Sequence, residues 1–326
     1  MPESSELERR ILGASGLEVS RLTLGAMTFG GQMPPISKVD ISTAHAMLER
    51  AIDAGVNLID TADAYSGGES EQILAPILAS YRDDLLVATK IGFGSGADRP
   101  LGPAQVASDI EASLRRLGTD RIDILYLHRP DRSTPIDETF QALDRFVSNG
   151  EIGTIGVSNW SAGETGYAVG YQRARSAAEP TSVQVYWSLV GRDVEHEIVP
   201  TCRRLGLGVV VWSPLAAGYL TGRQDGRRAT YPFPPVDEHL GPRVLTAVER
   251  VAEEAGTTAA AVSLAWLLHR EEVTSVIIGA SSMTQLEDNL SASTLALSRE
   301  QLETLDAASA IAATYPRWWD QAMGLG

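Results

Sequence analysis

The chain of 326 residues carries 27 Lys and Arg against 42 Asp and Glu, a formal net charge of −15. That excess of acid excludes a surface built to neutralise phosphates, so nucleic acid is not an expected partner. Apolar residues make up 44% and charged residues 21%, which excludes a disordered chain and leaves one large α/β domain or two smaller ones.

The longest apolar stretch, Ala259 to Leu268, is about half of the roughly 20 residues a membrane-spanning helix needs, so no membrane partner is expected. The start, Met-Pro-Glu-Ser-Ser-Glu, lacks the basic end and apolar core of a signal peptide, which makes the cytoplasm the expected location. The single cysteine, Cys202, rules out an internal disulfide and a Cys-based zinc cluster. It reads as a small buried apolar residue within a helix.

Residues 10–20 open the chain as a hairpin, with a Gly-containing turn between two short strands. Eight short apolar runs follow: Arg21–Leu24, Val56–Ile59, Leu85–Ala88, Ile122–Leu127, Gly153–Val157, Val183–Val185, Leu207–Val211 and Val273–Ile278. Between them lie segments of helical period. Val106, Ile110, Leu114 and Leu117 share one face, as do Ile136, Phe140, Leu143 and Val147. Ser66 with Glu69, Ser161 with Glu164, and Ser298 with Gln301 carry the spacing of capping boxes. A long Gly-, Pro- and Arg-containing loop spans 216–241, and an aromatic tail closes the chain at 303–326.

The runs are apolar almost throughout, as in strands buried on both faces of a parallel sheet. Eight strands alternating with helices predict a (β/α)₈ TIM barrel in a single domain over 1–326, with a long loop after the seventh strand and a C-terminal helical tail. A doubly wound open sheet is the main competitor, but no G-x-G-x-x-G follows the first strand.

In such a barrel, chemistry belongs at the C-terminal ends of the strands. Asp60 and Tyr65 follow the second run, Lys90 the third, and His128 the fourth. Ser158 and Asn159 follow the fifth run, Gln184 lies in the sixth, and Trp212 and Ser213 follow the seventh. Gly279, Ala280, Ser281 and Ser282 follow the eighth. Singly, each polar residue has a structural explanation, such as a cap, a surface lysine or a core histidine. Together on one rim they form a chemical set. A lysine beside a tyrosine favours the phenolate, an aspartate holds the lysine charged, and a neutral histidine orients a carbonyl. That combination suits proton donation to a carbonyl oxygen. The hydride such a reduction needs must come from a cofactor. No metal-ligand cluster is visible.

At these residues the sequence resembles the aldo-keto reductases. Gly55-Val-Asn-Leu-Ile-Asp60-Thr-Ala-Asp-Ala-Tyr65, with Gly68-Glu-Ser-Glu71, carries the first motif. Ala88-Thr-Lys90, Ile124-Leu-Tyr-Leu-His128-Arg-Pro-Asp131 and Ile155-Gly-Val-Ser158-Asn159 follow it in order. Val183-Gln184-Val-Tyr186, Trp212-Ser-Pro-Leu215 and Ile278-Gly-Ala-Ser-Ser282 with Gln285 and Asn289 complete the set, so the resemblance covers roughly 10–300. The pattern is similar to bacterial-type branches that include sugar-processing reductases, and potassium-channel β subunits share much of it.

The resemblance implies NADPH-dependent, reversible reduction of an aldehyde or ketone, with hydride from nicotinamide C4 and the proton from Tyr65. Asp60 and Lys90 would tune Tyr65, and His128 would orient the carbonyl. Ser158, Asn159 and Gln184 would hold the carboxamide and Trp212 would stack on the nicotinamide. Ser213, Leu215, Gly218 and Leu220 would line the pyrophosphate path. Gly279, Ser281, Gln285, Asp288 and Asn289 would hold the adenosine end, at a helix start that favours phosphate. Residues 275–291 contain no Lys or Arg, so NADH stays open beside NADPH, with Arg223, Arg227 or Arg228 as the cations available to a 2′-phosphate. Phe29, Phe93, Arg129, Tyr186, Trp318 and Trp319 are candidates for the pocket of a small-molecule carbonyl substrate, the two tail tryptophans equally for packing on the barrel. A nicotinamide-binding sensor or regulatory subunit with slow chemistry is the alternative function. A barrel hydrolase or lyase would need paired carboxylates or a metal cluster on the rim. Substrate identity and oligomeric state are open at this stage.

Overall fold

Strand β1 (Arg9–Ile11) pairs antiparallel with β2 (Glu18–Ser20), giving the hairpin expected from the sequence. Eight further strands follow. They are β3 (Leu22–Gly25), β4 (Leu58–Asp60), β5 (Leu86–Ile91), β6 (Ile122–Leu127), β7 (Ile152–Ser158), β8 (Pro180–Tyr186), β9 (Gly208–Trp212) and β10 (Val273–Gly279). All eight pair in parallel and β10 closes on β3, so the sheet is a closed barrel and not the open doubly wound competitor. In this computed structural model, residues 7–93, 96–223, 228 and 232–325 are described. The N-terminal residues 1–6, on which the signal-peptide reading rests, lie outside them.

The two-residue period of each strand sorts its side chains. Leu58, Ala88, Ile124, Tyr126, Val210 and Ile277 form one cluster inside the barrel, joined by Leu12 and Val19 of the hairpin. The intervening residues, such as Ile59, Val87, Leu125 and Leu127, belong to the larger core shared with the outer helices. Two residues beyond Leu58 comes Asp60, two beyond Ala88 comes Lys90, and two beyond Tyr126 comes His128. The alternation that fills the barrel thus turns these polar groups inward at its C-terminal mouth.

The outer layer contains α1 (Ile41–Asp53), α2 (Glu69–Tyr81), α3 (Pro103–Leu117), α4 (Ile136–Ser148), α5 (Ala162–Ala174) and α6 (Ile198–Leu205). Further on come α7 (Leu240–Ala255), α8 (Ala259–Leu268), α9 (Met283–Ser291), α10 (Arg299–Ala308) and α11 (Arg317–Ala322). Capping boxes form at Ser161 with Glu164 and at Ser298 with Gln301. The Ser66–Glu69 box does not form. Ser66 lies in a left-handed turn (φ 49°), and its hydroxyl donates to the Phe29 carbonyl at 3.2 Å. Helix α2 begins after the left-handed Gly68, and Glu69 instead accepts from the Gly31 amide at 2.9 Å.

Cys202 is buried in α6. Among the described residues, no helix is long and apolar enough to cross a membrane.

Candidate active site

Lys90 is 1% exposed, and its ammonium has three acceptors. It donates to Asp60 Oδ1, to the Thr61 carbonyl at 2.8 Å and to the Tyr65 hydroxyl at 3.1 Å. Three donors matched by three acceptors leave this buried ammonium satisfied. Burial pushes the Lys90 pKa down, but the charges of Asp60 and Tyr65 outweigh it and hold the proton above the ordinary lysine range. Burial also pushes Asp60 up, opposed by Lys90 and by Gln184, which donates to Asp60 Oδ2 at 2.7 Å.

Tyr65 begins a 3-10 turn (Tyr65–Gly68) after β4. Its ring lies 4.7 Å from the Lys90 ammonium and meets His128 edge-on, with ring centroids 5.9 Å apart. Burial lowers the His128 pKa well below the usual imidazole value, and the positive charges of Lys90 and Arg129 lower it further. The ring is therefore neutral at pH 7. Among the described residues, its Nδ1 is buried with no hydrogen-bond partner. An orphaned lone pair there costs less than an orphaned N–H, so the favoured tautomer carries the proton on Nε2.

Asp60, Tyr65, Lys90 and His128 thus come together as one unit, and Gln184 is part of it. Thr61, which the sequence did not single out, contributes through its backbone carbonyl.

The other rim residues fall into three groups. Asn159, at φ 60°, donates to the His128 carbonyl at 3.0 Å and to Ser158 Oγ at 3.1 Å. Its Oδ1 accepts from Trp212 Nε1 at 3.1 Å. The Trp212 ring centroid lies 5.2 Å from that of Tyr186 (tilted) and 6.2 Å from that of Phe233 (stacked).

After β9, Ser213, Ala216 and Ala217 all adopt positive φ, a backbone conformation that non-glycine residues rarely take outside functional turns. The amides of Gly218 and Leu220 both donate to the Leu215 carbonyl, and the Leu220 side chain is fully buried. Any contact of Leu220 with a ligand is limited to its backbone. Arg228 donates to the carbonyls of Ala216 and Pro234, while Arg223 is exposed and joins no ion pair among those of the described residues. Arg227 lies outside the described residues.

At the start of α9, the Ser281 amide and hydroxyl both donate to Gln285 Oε1, at 2.8 and 2.9 Å. Asn289 donates to the Gly279 carbonyl at 3.1 Å, and Asp288 accepts from Thr258 at 2.6 Å. Asp288 is thereby tied to the N-cap of α8.

Among the pocket candidates, Phe93 is 48% exposed and its ring lies 5.1 Å from His128. Phe29 is fully buried, so as folded it belongs to the core and lines no pocket. Trp318 and Trp319 are about half exposed, which excludes close packing on the barrel, although Arg317 ties their helix to the Glu195 carbonyl at 2.8 Å. A cavity of about 440 Å³ opens beside Asn159 and Tyr186 and is also lined by Arg132 and Trp160. Among the described residues, no cluster of His, Cys, Asp or Glu is placed to hold a metal ion.

The sequence model of the Aldo/keto reductase family matches residues 21–310. The chain belongs to the aldo/keto reductase family. It is similar to a protein of Arabidopsis thaliana described as a probable voltage-gated potassium channel subunit beta, 34% identical over 306 residues covering 88% of this chain and 91% of that protein. A rice protein (Oryza sativa subsp. japonica) of the same description is 33% identical over the same shares of the two chains. In this member of the family, the four-residue unit at the mouth contains a buried lysine–aspartate pair, a phenol and an imidazole of lowered pKa. These are the components needed to deliver a proton to a polarised carbonyl.

Proposed function

We propose that this aldo/keto reductase reduces an aldehyde or ketone to an alcohol, reversibly and with NADPH, the proton coming from Tyr65. The observation that carries this reading is the Lys90 ammonium held between Asp60 and the Tyr65 hydroxyl. A reduced nicotinamide, when bound, supplies the hydride to the carbonyl carbon.

The chain's own residues do the rest. His128, neutral and donating from Nε2, holds the carbonyl oxygen beside the Tyr65 hydroxyl. As negative charge develops on that oxygen, Tyr65 gives up its proton to it. The Lys90 ammonium, 3.1 Å away, stabilises the phenolate left behind. Asp60 keeps Lys90 charged and aimed, and Gln184 keeps Asp60 in place. In the oxidative direction the same phenolate accepts the alcohol proton.

The donor set along the rim fits a dinucleotide. Ser158 and Asn159 carry the hydroxyl and amide groups that a carboxamide pairs with, and would exchange their present bonds to each other, His128 and Trp212 for it. Trp212 supplies an aromatic face for the nicotinamide. Ser213, Leu215, Gly218 and Leu220 would follow the pyrophosphate, with Gly279, Ser281, Gln285, Asp288 and Asn289 at the adenosine end. The preference for NADPH over NADH rests in this reading on Arg223, because Arg228 is already committed to backbone carbonyls.

Purified protein should consume NADPH in the presence of an aldehyde panel, followed by the loss of reduced-nicotinamide absorbance. Absence of turnover with tight cofactor binding would favour the second reading, a nicotinamide-sensing subunit of a membrane partner. The names of the two plant relatives are what favour that reading.

A further inference from the structure

Arg129 follows His128 directly, at the end of β6, and its side chain is exposed. Its guanidinium lies 5.2 Å from the Phe93 ring centroid, and Phe93 in turn lies against His128. Tyr65, His128, Phe93 and Arg129 thus form one continuous wall that begins at the proton donor and ends at a cation. The positive charge of Arg129 is felt at the His128 imidazole.

In a chain with a net charge of −15, arginine has many carboxylates to pair with. Arg99, Arg116, Arg192 and Arg270, among others, do pair with acids. Arg129 joins none of the ion pairs among the described residues, and its one hydrogen bond is a long contact of 3.5 Å to the Gly92 carbonyl. The nearby carboxylate in sequence, Asp131, is engaged elsewhere. It accepts from the Leu101 amide at 3.0 Å, the Ser133 amide at 2.8 Å and the Ser133 and Thr134 hydroxyls. Arg132, one residue further on, is exposed and lines the adjoining cavity.

We propose that Arg129 determines substrate specificity, and that this enzyme prefers carbonyl compounds bearing an anionic group, a carboxylate or a phosphate, one ring's reach from the carbonyl. The inference rests on the carbonyl-reduction reading above. The carbonyl sits between Tyr65 and His128, the body of the substrate lies over Phe93, and its anion meets the guanidinium. A planar guanidinium binds either anion through paired N–H donors. In an acidic protein, a positive lip at the mouth also steers anions to it.

The test compares 4-carboxybenzaldehyde with methyl 4-formylbenzoate, which has the same ring and aldehyde but no charge. A second pair, glyceraldehyde 3-phosphate and glyceraldehyde, separates phosphate from carboxylate. Each is measured for kcat/KM and, by calorimetry, for binding to the NADP⁺-loaded protein, in wild type, Arg129→Gln and Arg129→Lys.

A charge-assisted contact at an exposed site should favour at least one anionic probe by roughly tenfold in kcat/KM and in affinity. The preference should fall to about one in Arg129→Gln, return in part in Arg129→Lys, and shrink with added salt. A general structural defect would lower both members of a pair and leave their ratio unchanged.

No anionic preference in either pair, or a preference that survives Arg129→Gln, would overturn the proposal. Anion-selective binding lost in Arg129→Gln, with no turnover of any probe, would leave the anion site standing while the reduction reading fell.

Discussion

The Lys90 ammonium lies 3.1 Å from the Tyr65 hydroxyl and 4.7 Å from the centroid of the same ring, so one cation addresses both the oxygen and the ring of Tyr65. It can hold that position because its other donors are fixed by Asp60 and by the Thr61 carbonyl. The lysine therefore makes two contacts at once, one to the Tyr65 hydroxyl and one to the buried Asp60.

Removing the lysine leaves the aspartate alone in the barrel. Lys90→Met should lower stability by about 3–5 kcal/mol, the cost of stranding one member of a buried ion pair. Adding Asp60→Asn to Lys90→Met should recover much of that stability without restoring turnover. Denaturant unfolding of the single and double variants checks this. A neutral Lys90→Met would show that Asp60 is not ionised in the folded protein.

Asp63 sits between Asp60 and Tyr65 in sequence, with Oδ1 buried and unpartnered among the described residues. Burial raises its pKa from 3.8 to about 7, with the negative charges of Asp109 and Glu71 adding to the rise and Arg116 opposing it. The folded state therefore binds more protons than the unfolded chain between about pH 4 and pH 7. Stability from this group is fully present below the unfolded pKa and is lost as pH rises through 7. Asp63→Asn should raise stability by roughly 1–3 kcal/mol at pH 8, discounted for partial exposure, and by less at pH 5. Thermal melts of the two proteins at both pH values test it. An equal effect at both would show that the carboxyl titrates normally.

Arg223 is an exposed cation on the loop after β9. Arg223→Gln should weaken NADPH binding by about tenfold and leave NADH binding nearly unchanged, because only the former carries the 2′-phosphate. Calorimetric titration with each nucleotide reads the difference. Equal losses for both, or no loss for either, would remove Arg223 from the 2′-phosphate site.

Trp212 should report the cofactor directly. Saturable quenching of tryptophan fluorescence is expected as NADPH is added, and a large part of it should disappear in Trp212→Ala. Full quenching in that variant would place the nicotinamide away from this ring.

The barrel was legible because its strands are short apolar runs separated by helical periods, and that alternation survives in any register. The placement of Asp60, Lys90 and His128 at the barrel mouth was legible for the same reason. Asp60, Lys90 and His128 each stand at the first polar inward position after a buried one, and strand period alone determines that. The Ser66–Glu69 spacing misled because a left-handed Ser66 and Gly68 intervene, and backbone conformation is not written in a four-residue pattern. Phe29 looked available for substrate, but packing of distant segments buries it completely. The coupling of Asp288 to Thr258 bridges 30 residues and has no local signal. Nor does the clustering of half-buried Asp63 and Asp109 with buried Glu71, to which Arg116 donates at 2.6 Å.

The most direct test of carbonyl reduction is a comparison of wild type with Tyr65→Phe, measuring NADPH affinity and single-turnover reduction of 4-carboxybenzaldehyde on the same samples. The substitution removes only the hydroxyl that Lys90 contacts. The expected result is unchanged NADPH binding with reduction lowered by about a thousandfold or more, the scale of a lost general acid. Reduction at the wild-type rate in Tyr65→Phe would contradict the assignment of Tyr65 as the proton donor.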